Sequence, residues 1–594
     1  VIVAVLALGG RALPTRAGVV LEPLPRVPRP MRPATIAGLA LAAAGLAALV
    51  SPTIRLGLNL SIVFAILALS LVVLVGLVGQ ISLGQLAIAG LAAFALARYL
   101  GGWPFPLGLL VAGFVSTAIA VLVGLPALRV RGAQLAVVTL AGAAAVQAVV
   151  FTTASTPAVA PPRLAGLDLA AQQGDTIARL PFTITLLVVL VLVAVTTSRT
   201  IGGSLGRRFL AVRNNEQAAA SVGINVAATK VAALAVAGLI AGIGGGLLAY
   251  NNQAVSGSSF DVFSSIGLLV FAYIGGITGI GGALYAGILA PAGIVYVLIS
   301  QHWNVASTTY GTIAAIVLIL VALFNPQGVS DAVRVTLERL RLKVFRRAPE
   351  RPVVLPEPPD LPVSRAALQA GPLTVRYGGV TAVEDVRIEV APGEIAGLIG
   401  PNGAGKTSLL DALTGFSAAQ GPVVLGGREL AGLKPHARCR AGLARTWQAG
   451  QLFEDLPVVD NVRVAAADDA AVAWALHLAG ITGLAARRPA ELSGGQRKLV
   501  SLARALASRP SVLLADEPAA GLDSFESRQL GTRLKAIAGA GVGVLLIEHD
   551  LALVLAVCDR IHVLDQGRLI ASGPPEAIRT EPAVLSAYLG QETA

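Results

Sequence analysis

Three short segments in the second half of this chain place glycines, a lysine, hydroxyls and carboxylates where phosphate chemistry needs them. Ile395 to Ile399 reads as a short apolar strand, GPNGAGKTS (Gly400 to Ser408) follows it, and a helical run comes next. This is a phosphate loop in the strand–loop–helix setting it requires. Gly400, Gly403 and Gly405 let backbone N–H groups close around the β- and γ-phosphates of a nucleotide, and the helix N-terminus adds its dipole. Lys406 brings a point charge to the same oxygens and Thr407 offers a hydroxyl to Mg²⁺, with Asn402 and Ser408 counted as nucleotide-binding positions of the same loop. Farther along, SVLLADEP (Ser511 to Pro518) reads as a buried parallel strand ending in two carboxylates. Asp516 at the strand end would hold Mg²⁺ through water, and Glu517 would polarise the attacking water as general base. A pair of acids after an apolar run is weak evidence alone and strong evidence beyond a phosphate loop.

Between them, LSGGQRK (Leu492 to Lys498) opens a helix. Ser493, Gly494, Gly495 and Gln496 there form a second anion site. One domain has no use for it if the first site is already complete, which is the logic of a head-to-tail dimer closing over two ATP molecules. These residues together resemble the ATPases of ABC transporters, over roughly residues 370–594. The resemblance implies further roles: Tyr377 stacking on adenine, and Gln448 in RTWQ sensing Mg²⁺ and the permease. It also implies Asp523 in AAGLD crossing the dimer interface and His549 in LLIEHD contacting the γ-phosphate. By itself Tyr377 is also readable as an edge-strand aromatic and His549 as a structural histidine; His302, His436, His477 and His562 are left as ordinary residues.

The elements that must carry this site fall into two halves. The chain has 594 residues, 55% hydrophobic and only 13% charged, so more than one core is required and the charge deficit needs a cause. Residues 34–324 are almost entirely Ala, Leu, Val, Ile and Gly, whereas 325–594 read as a soluble α/β protein. Apolar runs near 34–50, 57–77, 82–99, 107–124, 133–151, 181–196, 227–249, 263–277, 283–300 and 309–324 predict about ten membrane spans. The net charge of +12 sits in short loops, without an aromatic-plus-basic stacking surface, so nucleic-acid binding is set aside. Arg199, Arg207, Arg208 and Arg213, with Arg129, Arg131 and the N-terminal arginines, predict the inner side, and Arg55, Arg98, Arg163 and Arg179 the outer. That orientation puts the ATPase half inside the cell. Cys439 and Cys558 lie in that half at no metal or redox spacing, as suits a reducing compartment.

Two stretches interrupt the apolar pattern. In GLVGQISLGQLAIAG (Gly76 to Gly90), Gln80, Ser82 and Gln85 fit either a broken helix beside a substrate path or amide glue between helices. GRRFLAVRNNEQAAASVGIN (Gly206 to Asn225) predicts a short cytosolic helix able to transmit force from the ATPase. The outer stretch 152–180, the longest extracytoplasmic loop expected, is a candidate docking surface. Residues 331–351 predict a basic amphipathic segment, and VVLPEPPDLP (Val353 to Pro362) a semi-rigid linker. Residues 1–30, with no Met before Met31, read as a non-AUG start or the tail of an upstream permease segment.

GLVGQISLGQ, LPALRVRGAQLAVVTLA and FLAVRNNEQAAASVGIN make the membrane half similar to permeases of bacterial branched-chain amino-acid importers. DEPAAGL, IEHDLALVLAVCDRIHVLDQGRLIASG and AVLSAYLG make the second half similar to that family's ATPases. The fold class implied is an α-helical polytopic membrane domain followed by an α/β P-loop ABC ATPase. Its parts are an N-terminal segment (1–33), a permease (34–325), a juxtamembrane segment and linker (326–369) and the ATP-binding domain (370–594). The resemblance implies ATP-driven import across the bacterial cytoplasmic membrane, with ATP and Mg²⁺ bound. It implies a second permease/ATPase subunit, identical or related, and an extracytoplasmic solute-binding protein as partners. Three features depart from the family: the fusion, the general LSGGQ signature, and the short interval from Gln448 to Leu492. A half-size exporter, or an importer of urea, amides or another small solute, is the alternative; an exporter predicts about six spans and long charged cytosolic extensions.

Overall fold

The computed structural model describes residues 30–589 except 126–132, 153–157, 175, 278, 304, 326, 335, 337–354, 359–360, 362 and 449–450. The N-terminal stretch before residue 30, the inner-loop arginines Arg129 and Arg131, and most of the basic connector lie outside the described residues.

The membrane half is mainly helical, with a short antiparallel hairpin pairing Arg163–Leu164 with Leu167–Asp168. Its helices are α1 (Pro33–Leu49), α2 (Pro52–Leu71), α3 (Gln85–Tyr99), α4 (Phe105–Gly124), α5 (Ala133–Val146) and α6 (Leu180–Gly202). Two short helices follow, α7 (Ser204–Asn214) and α8 (Glu216–Ser221), and then α9 (Val226–Asn252), α10 (Val262–Gly275), α11 (Ile280–Leu289), α12 (Ile294–Trp303) and α13 (Ser307–Phe324). Among the described residues, five helical segments are long and apolar enough to cross a membrane and five shorter ones are apolar. Each apolar run predicted from the sequence falls on helix. The run near 283–300 is broken, however. Pro291 supplies no N–H and Ala292 takes a positive φ of 60°, so α11 stops and α12 restarts with Ile294 N donating to Ser61 Oγ at 2.9 Å.

Helix α9 is the spine, packed on α2, α3 and α4. Between membrane helices the attraction comes from close packing, since lipid is as apolar as leucine. Gly245 shows how close: a Cβ there would lie 2.0 Å from the Ala89 carbonyl oxygen of α3. The Gly76–Gly90 stretch is indeed broken. Helix α2 loosens into a π-turn over Val72–Leu77, residues 79–84 are non-helical, and α3 starts at Gln85. Gln85 also acts as glue, its Nε2 donating to the Ala237 carbonyl of α9 at 3.2 Å. Ala237 lies roughly 16 Å along α9 from Val226, so the break sits at membrane depth within protein. Gln80, Ser82 and Gln85 are all buried.

The arginines separate by end. Arg55 donates to the Ala178 carbonyl, and Arg179 pairs with Asp168 at 3.1 Å in a two-residue hairpin with Arg163. Helix α6 leaves from that end and delivers Arg199, Arg207, Arg208 and Arg213 to the other, where the ATPase half sits.

That half contains two sheets. The strands are β1 (Leu368–Tyr377), β2 (Val380–Val390), β3 (Ile395–Ile399), β4 (Val423–Leu425), β5 (Arg428–Glu429), β6 (Leu443–Arg445), β7 (Val512–Asp516), β8 (Gly543–Ile547), β9 (Arg560–Asp565) and β10 (Arg568–Gly573). The six-stranded sheet runs β10-β9-β3-β8-β7-β6, with β6, β7, β8, β3 and β9 parallel and β10 antiparallel to β9. Its inner strands β3, β7 and β8 are buried at every residue, which is why they read as unbroken apolar runs. The smaller antiparallel sheet runs β2-β1-β4-β5.

Candidate functional site

The phosphate loop leaves β3 and enters α14 (Lys406–Thr414). Glycine is required at both ends of it. Gly400 has φ 154° with a Cβ position 2.0 Å from the Leu564 carbonyl oxygen, and Gly405 has φ 101° with one 2.3 Å from that of Ala382. Lys406 is buried and its Nζ donates to the carbonyls of Gly400 and Pro401 at 2.7 and 2.9 Å. Burial pushes its ammonium below the usual lysine range, against the raising pull of Glu517 and Asp516. Asn402, Gly403 and Thr407 are exposed on the loop, and Ser408 is half-buried.

Strand β7 lies one strand removed, across β8, and presents its carboxylates beside the loop. Burial raises the Asp516 carboxyl above the ordinary range, opposed by Arg445, whose Nη2 donates to Oδ2 at 2.9 Å. Glu517 takes a positive φ of 45°, and its N–H donates to Ile547 of β8 at 2.9 Å. Its two carboxylate oxygens face two partners: Gln448 Nε2 donates to Oε2, and His549 Nε2 lies 2.9 Å from Oε1. The structure therefore gathers Gln448, Glu517 and His549 into one cluster beside Lys406 and Asp516. A carboxylate held by an amide and an imidazole next to a phosphate cradle can take a proton from water.

The other expected residues stand apart. Tyr377 ends β1 with its ring half-exposed and its hydroxyl 2.7 Å from Ser417 Oγ. Ser493 caps α15 (Gly494–Leu506): its Oγ accepts from Gln496 N at 3.2 Å, and Gln496 Oε1 accepts from Ser493 N at 3.1 Å. Gly495 is buried against Glu526, and Gly494 is exposed. Asp523 caps α16 (Ser524–Gly539), accepting from Phe525 N and Glu526 N at 2.8 and 2.7 Å. Among the described residues no hydrogen bond joins Ser493–Gln496 or Asp523 to the phosphate loop of the same chain.

Sequence reasoning passed over Arg445. Its side chain is 1% exposed and pairs with Asp411 of α14 and Asp516 of β7. Glu548 was also missed; it accepts from Ala519 N and His549 N, and burial raises its carboxyl. Acids and bases inside apolar strands were the available signal for both.

Comparison with known proteins follows the same division. Residues 53–327 match the branched-chain amino acid transport system / permease component family. Residues 383–520 match the ABC transporter family and 568–594 the branched-chain amino acid ATP-binding cassette transporter family. The high-affinity branched-chain amino acid transport ATP-binding protein BraF of Pseudomonas aeruginosa is 37% identical over 254 residues, all of its length and 39% of this chain. The chain belongs to the branched-chain amino-acid ABC transporters.

LivG of Escherichia coli, of the same description, is 36% identical over its whole length and 39% of this chain. The ADP conformation of MJ1267, an ATP-binding cassette of an ABC transporter, is 27% identical, with a TM-score of 0.35 over 38% of this chain and 100% of that one. In this ABC transporter the second half is thus the ATP hydrolase and the first a multi-pass membrane permease, in one polypeptide. The architecture of such transporters is dimeric.

The two halves of the transporter meet at α7 and α8. Asn214 Nδ2 donates to Asp455 Oδ2 at 3.0 Å, and Asn215 Nδ2 to Gln451 Oε1 at 3.0 Å. Arg440 Nε donates to the Gly223 carbonyl at 2.8 Å, and Trp447 Nε1 to Ser221 Oγ at 3.0 Å. Within the permease, Lys230 Nζ pairs with Glu216 at 2.7 Å and Arg213 donates to the Gly76 carbonyl at the π-turn. Asn214 and Asn215 of the Asn-Asn-Glu-Gln tract thus dock on the segment Gln451 to Asp455, with Glu454 N also donating to Asn214 Oδ1 at 3.2 Å.

Proposed function

We propose that this chain imports branched-chain or other hydrophobic amino acids across a bacterial cytoplasmic membrane, driven by ATP hydrolysis at the Glu517 cluster. The observation that carries this reading is the union of two matches in one chain. An ATPase match alone does not fix direction, since the lipopolysaccharide export ATP-binding protein LptB of Escherichia coli is 35% identical over 98% of its length. The permease match over residues 53–327 supports the cargo class, and its pairing in one chain with an ATPase half similar to LivG and BraF supports the direction. The division is 34–325 for the permease, 326–369 for the connection and 370–594 for the ATPase, with residues 1–33 preceding.

Lys406 and the loop N–H groups of Gly400, Asn402, Gly403, Gly405, Thr407 and Ser408 would hold the phosphates, and Tyr377 would lie against adenine. The water oxygen bonds to the γ-phosphorus, the bond to the bridging oxygen breaks with its electrons leaving on ADP, and Glu517 takes the proton. His549 contacts the γ-phosphate. Magnesium fits the residues present: the exposed Thr407 hydroxyl, the Asp516 carboxylate and the Gln448 amide oxygen are hard oxygen donors. Bound there, the ion would neutralise phosphate charge. Ser493, Gly494, Gly495, Gln496 and Asp523 point to a partner's nucleotide, so a second subunit, identical or related, completes each site. An extracytoplasmic binding protein would deliver the solute near residues 152–180.

Uptake of radiolabelled leucine into proteoliposomes carrying the chain, its partner subunit and its binding protein tests the reading. Accumulation that needs internal ATP and vanishes with Glu517→Gln supports it. ATP hydrolysis stimulated instead by urea or an amide would discard the cargo, and ATP-driven efflux would discard the direction.

A further inference from the structure

Trp447 lies between the permease and the chemistry. Its indole Nε1 donates to Ser221 Oγ of α8 at 3.0 Å, and the Arg445 guanidinium carbon stacks over its ring, 4.1 Å from the centroid. Phe416, just beyond α14, meets the same ring edge-on at 5.2 Å and 72°. Arg445 is 1% exposed, and its two terminal nitrogens hold carboxylates from two different elements. One is Asp411 of the phosphate-loop helix α14; the other is Asp516, at 2.9 Å, at the end of β7. Its Nη1 also reaches Thr414 Oγ1 at 3.4 Å, and its Nε is buried with no hydrogen-bond partner among the described residues, so the two carboxylates and the Trp447 face are the main restraints on the guanidinium plane. A planar fork held by stacking on one side and two carboxylates on the other turns a displacement of the ring into a displacement of both acids.

We propose that Trp447 and Arg445 are positioning residues that relay docking of permease Ser221 to the Asp516 carboxylate, and so set the affinity of the ATPase for the divalent cation. This rests on the reading of Asp516 as the acid that holds Mg²⁺, given above. The relay runs beside Gln448 and is separate from it, because Gln448 reaches Glu517 and Arg445 reaches Asp516 and Asp411.

The test uses the full chain with its partner subunit in proteoliposomes. It measures Mn²⁺ binding directly by electron paramagnetic resonance with a non-hydrolysable ATP analogue, and it titrates Mg²⁺ against ATP hydrolysis. The variants below should bind Mn²⁺ more weakly, and unchanged binding overturns the relay. Trp447→Phe keeps the stacking face and removes the indole N–H, and Ser221→Ala removes its acceptor. Each is expected to raise the Mg²⁺ concentration for half-maximal hydrolysis about 3- to 10-fold, with the rate at saturating Mg²⁺ within about twofold. The double variant should shift no further than either single one, since both cut one link. Arg445→Lys, which keeps the charge and loses the fork, should shift it more. An unchanged Mg²⁺ dependence in both Trp447→Phe and Ser221→Ala, or additive shifts in the double variant, overturns the relay. If hydrolysis by the wild-type chain needs no divalent cation, the reading of Asp516 fails, and the relay with it. Failure of leucine uptake in the wild type discards the cargo alone.

Discussion

Glu517 is the residue on which this side-chain cluster converges, held from one side by Gln448 and from the other by His549, 69 and 32 positions away in the chain. With Glu517 proposed as the general base, Glu517→Gln keeps the shape and removes the carboxylate, so ATP binding should persist while phosphate release falls about 10²- to 10⁴-fold. Nucleotide binding and single-turnover hydrolysis on the same preparation check this; hydrolysis within tenfold of wild type would move the base elsewhere. Divalent-metal removal belongs to the same scale. Hydrolysis by the wild-type chain should stop in EDTA and return on adding Mg²⁺, because the hydroxyl, amide and carboxylate donors near the loop suit a hard cation. The phosphate loop was legible because it is contiguous: one backbone segment must wrap an anion, and its glycines sit where a Cβ would strike a carbonyl. Arg445 was not legible, since a buried arginine announces itself only through the carboxylates that the fold brings to it.

The elements carry two predictions. Asp523 caps α16 through two backbone N–H groups, whatever its part across a dimer. Asp523→Ala should therefore destabilise that helix by about 1 kcal/mol while Asp523→Asn costs only a few tenths, read as faster hydrogen exchange of the α16 amides. In the membrane half, Gly245→Val drives a side chain into the Ala89 backbone. Backbone cannot yield as a flexible side chain does, so a loss of about 1–3 kcal/mol or more is expected, seen as a lower thermal midpoint in detergent. The existence and type of the membrane helix α9 were readable from its apolar run near 227–249, whereas α16 was not placed from the sequence. The interruption at Pro291 was not placed, because neighbouring alanine, leucine and glycine keep the segment apolar through the break.

At the scale of the molecule, a permease and an ATPase touch through a side-chain seam as well as through the chain that links them. BraF and LivG match only 39% of this chain yet along their whole lengths, so the ATPase half corresponds to a whole separate polypeptide in those relatives. Asn214, Asn215, Ser221 and Gly223 on the permease meet Asp455, Gln451, Trp447 and Arg440 on the ATPase. A protease site inserted within Val353–Pro362 and cleaved after assembly should therefore leave the two pieces co-purifying, with ATP-driven uptake within about threefold of the intact chain. Separation of the pieces on a sizing column would show that the covalent connection, not the seam, holds them together.

The sequence alone determined the two-half organisation, the nucleotide chemistry and the membrane character. Each of these follows from residues that act within one local stretch: a glycine loop before a helix, an apolar strand ending in acids, a run of apolar residues long enough for a bilayer. It also marked Gly206–Asn225 as a polar helix between spans, because polarity there has no membrane explanation. The tertiary structure decided which side chains meet. Gln448, Glu517 and His549 converge because β6, β7 and β8 are laid side by side in register, and Arg445 reaches Asp516 across the same pairing. Whether the Gln85 stretch was a break or an adhesive was likewise undetermined until α9 stood beside it, and it is both: residues 79–84 leave the helix while the Gln85 amide bonds Ala237. Local patterns fix what a segment can become; the packing of distant segments against each other fixes which donors face which acceptors.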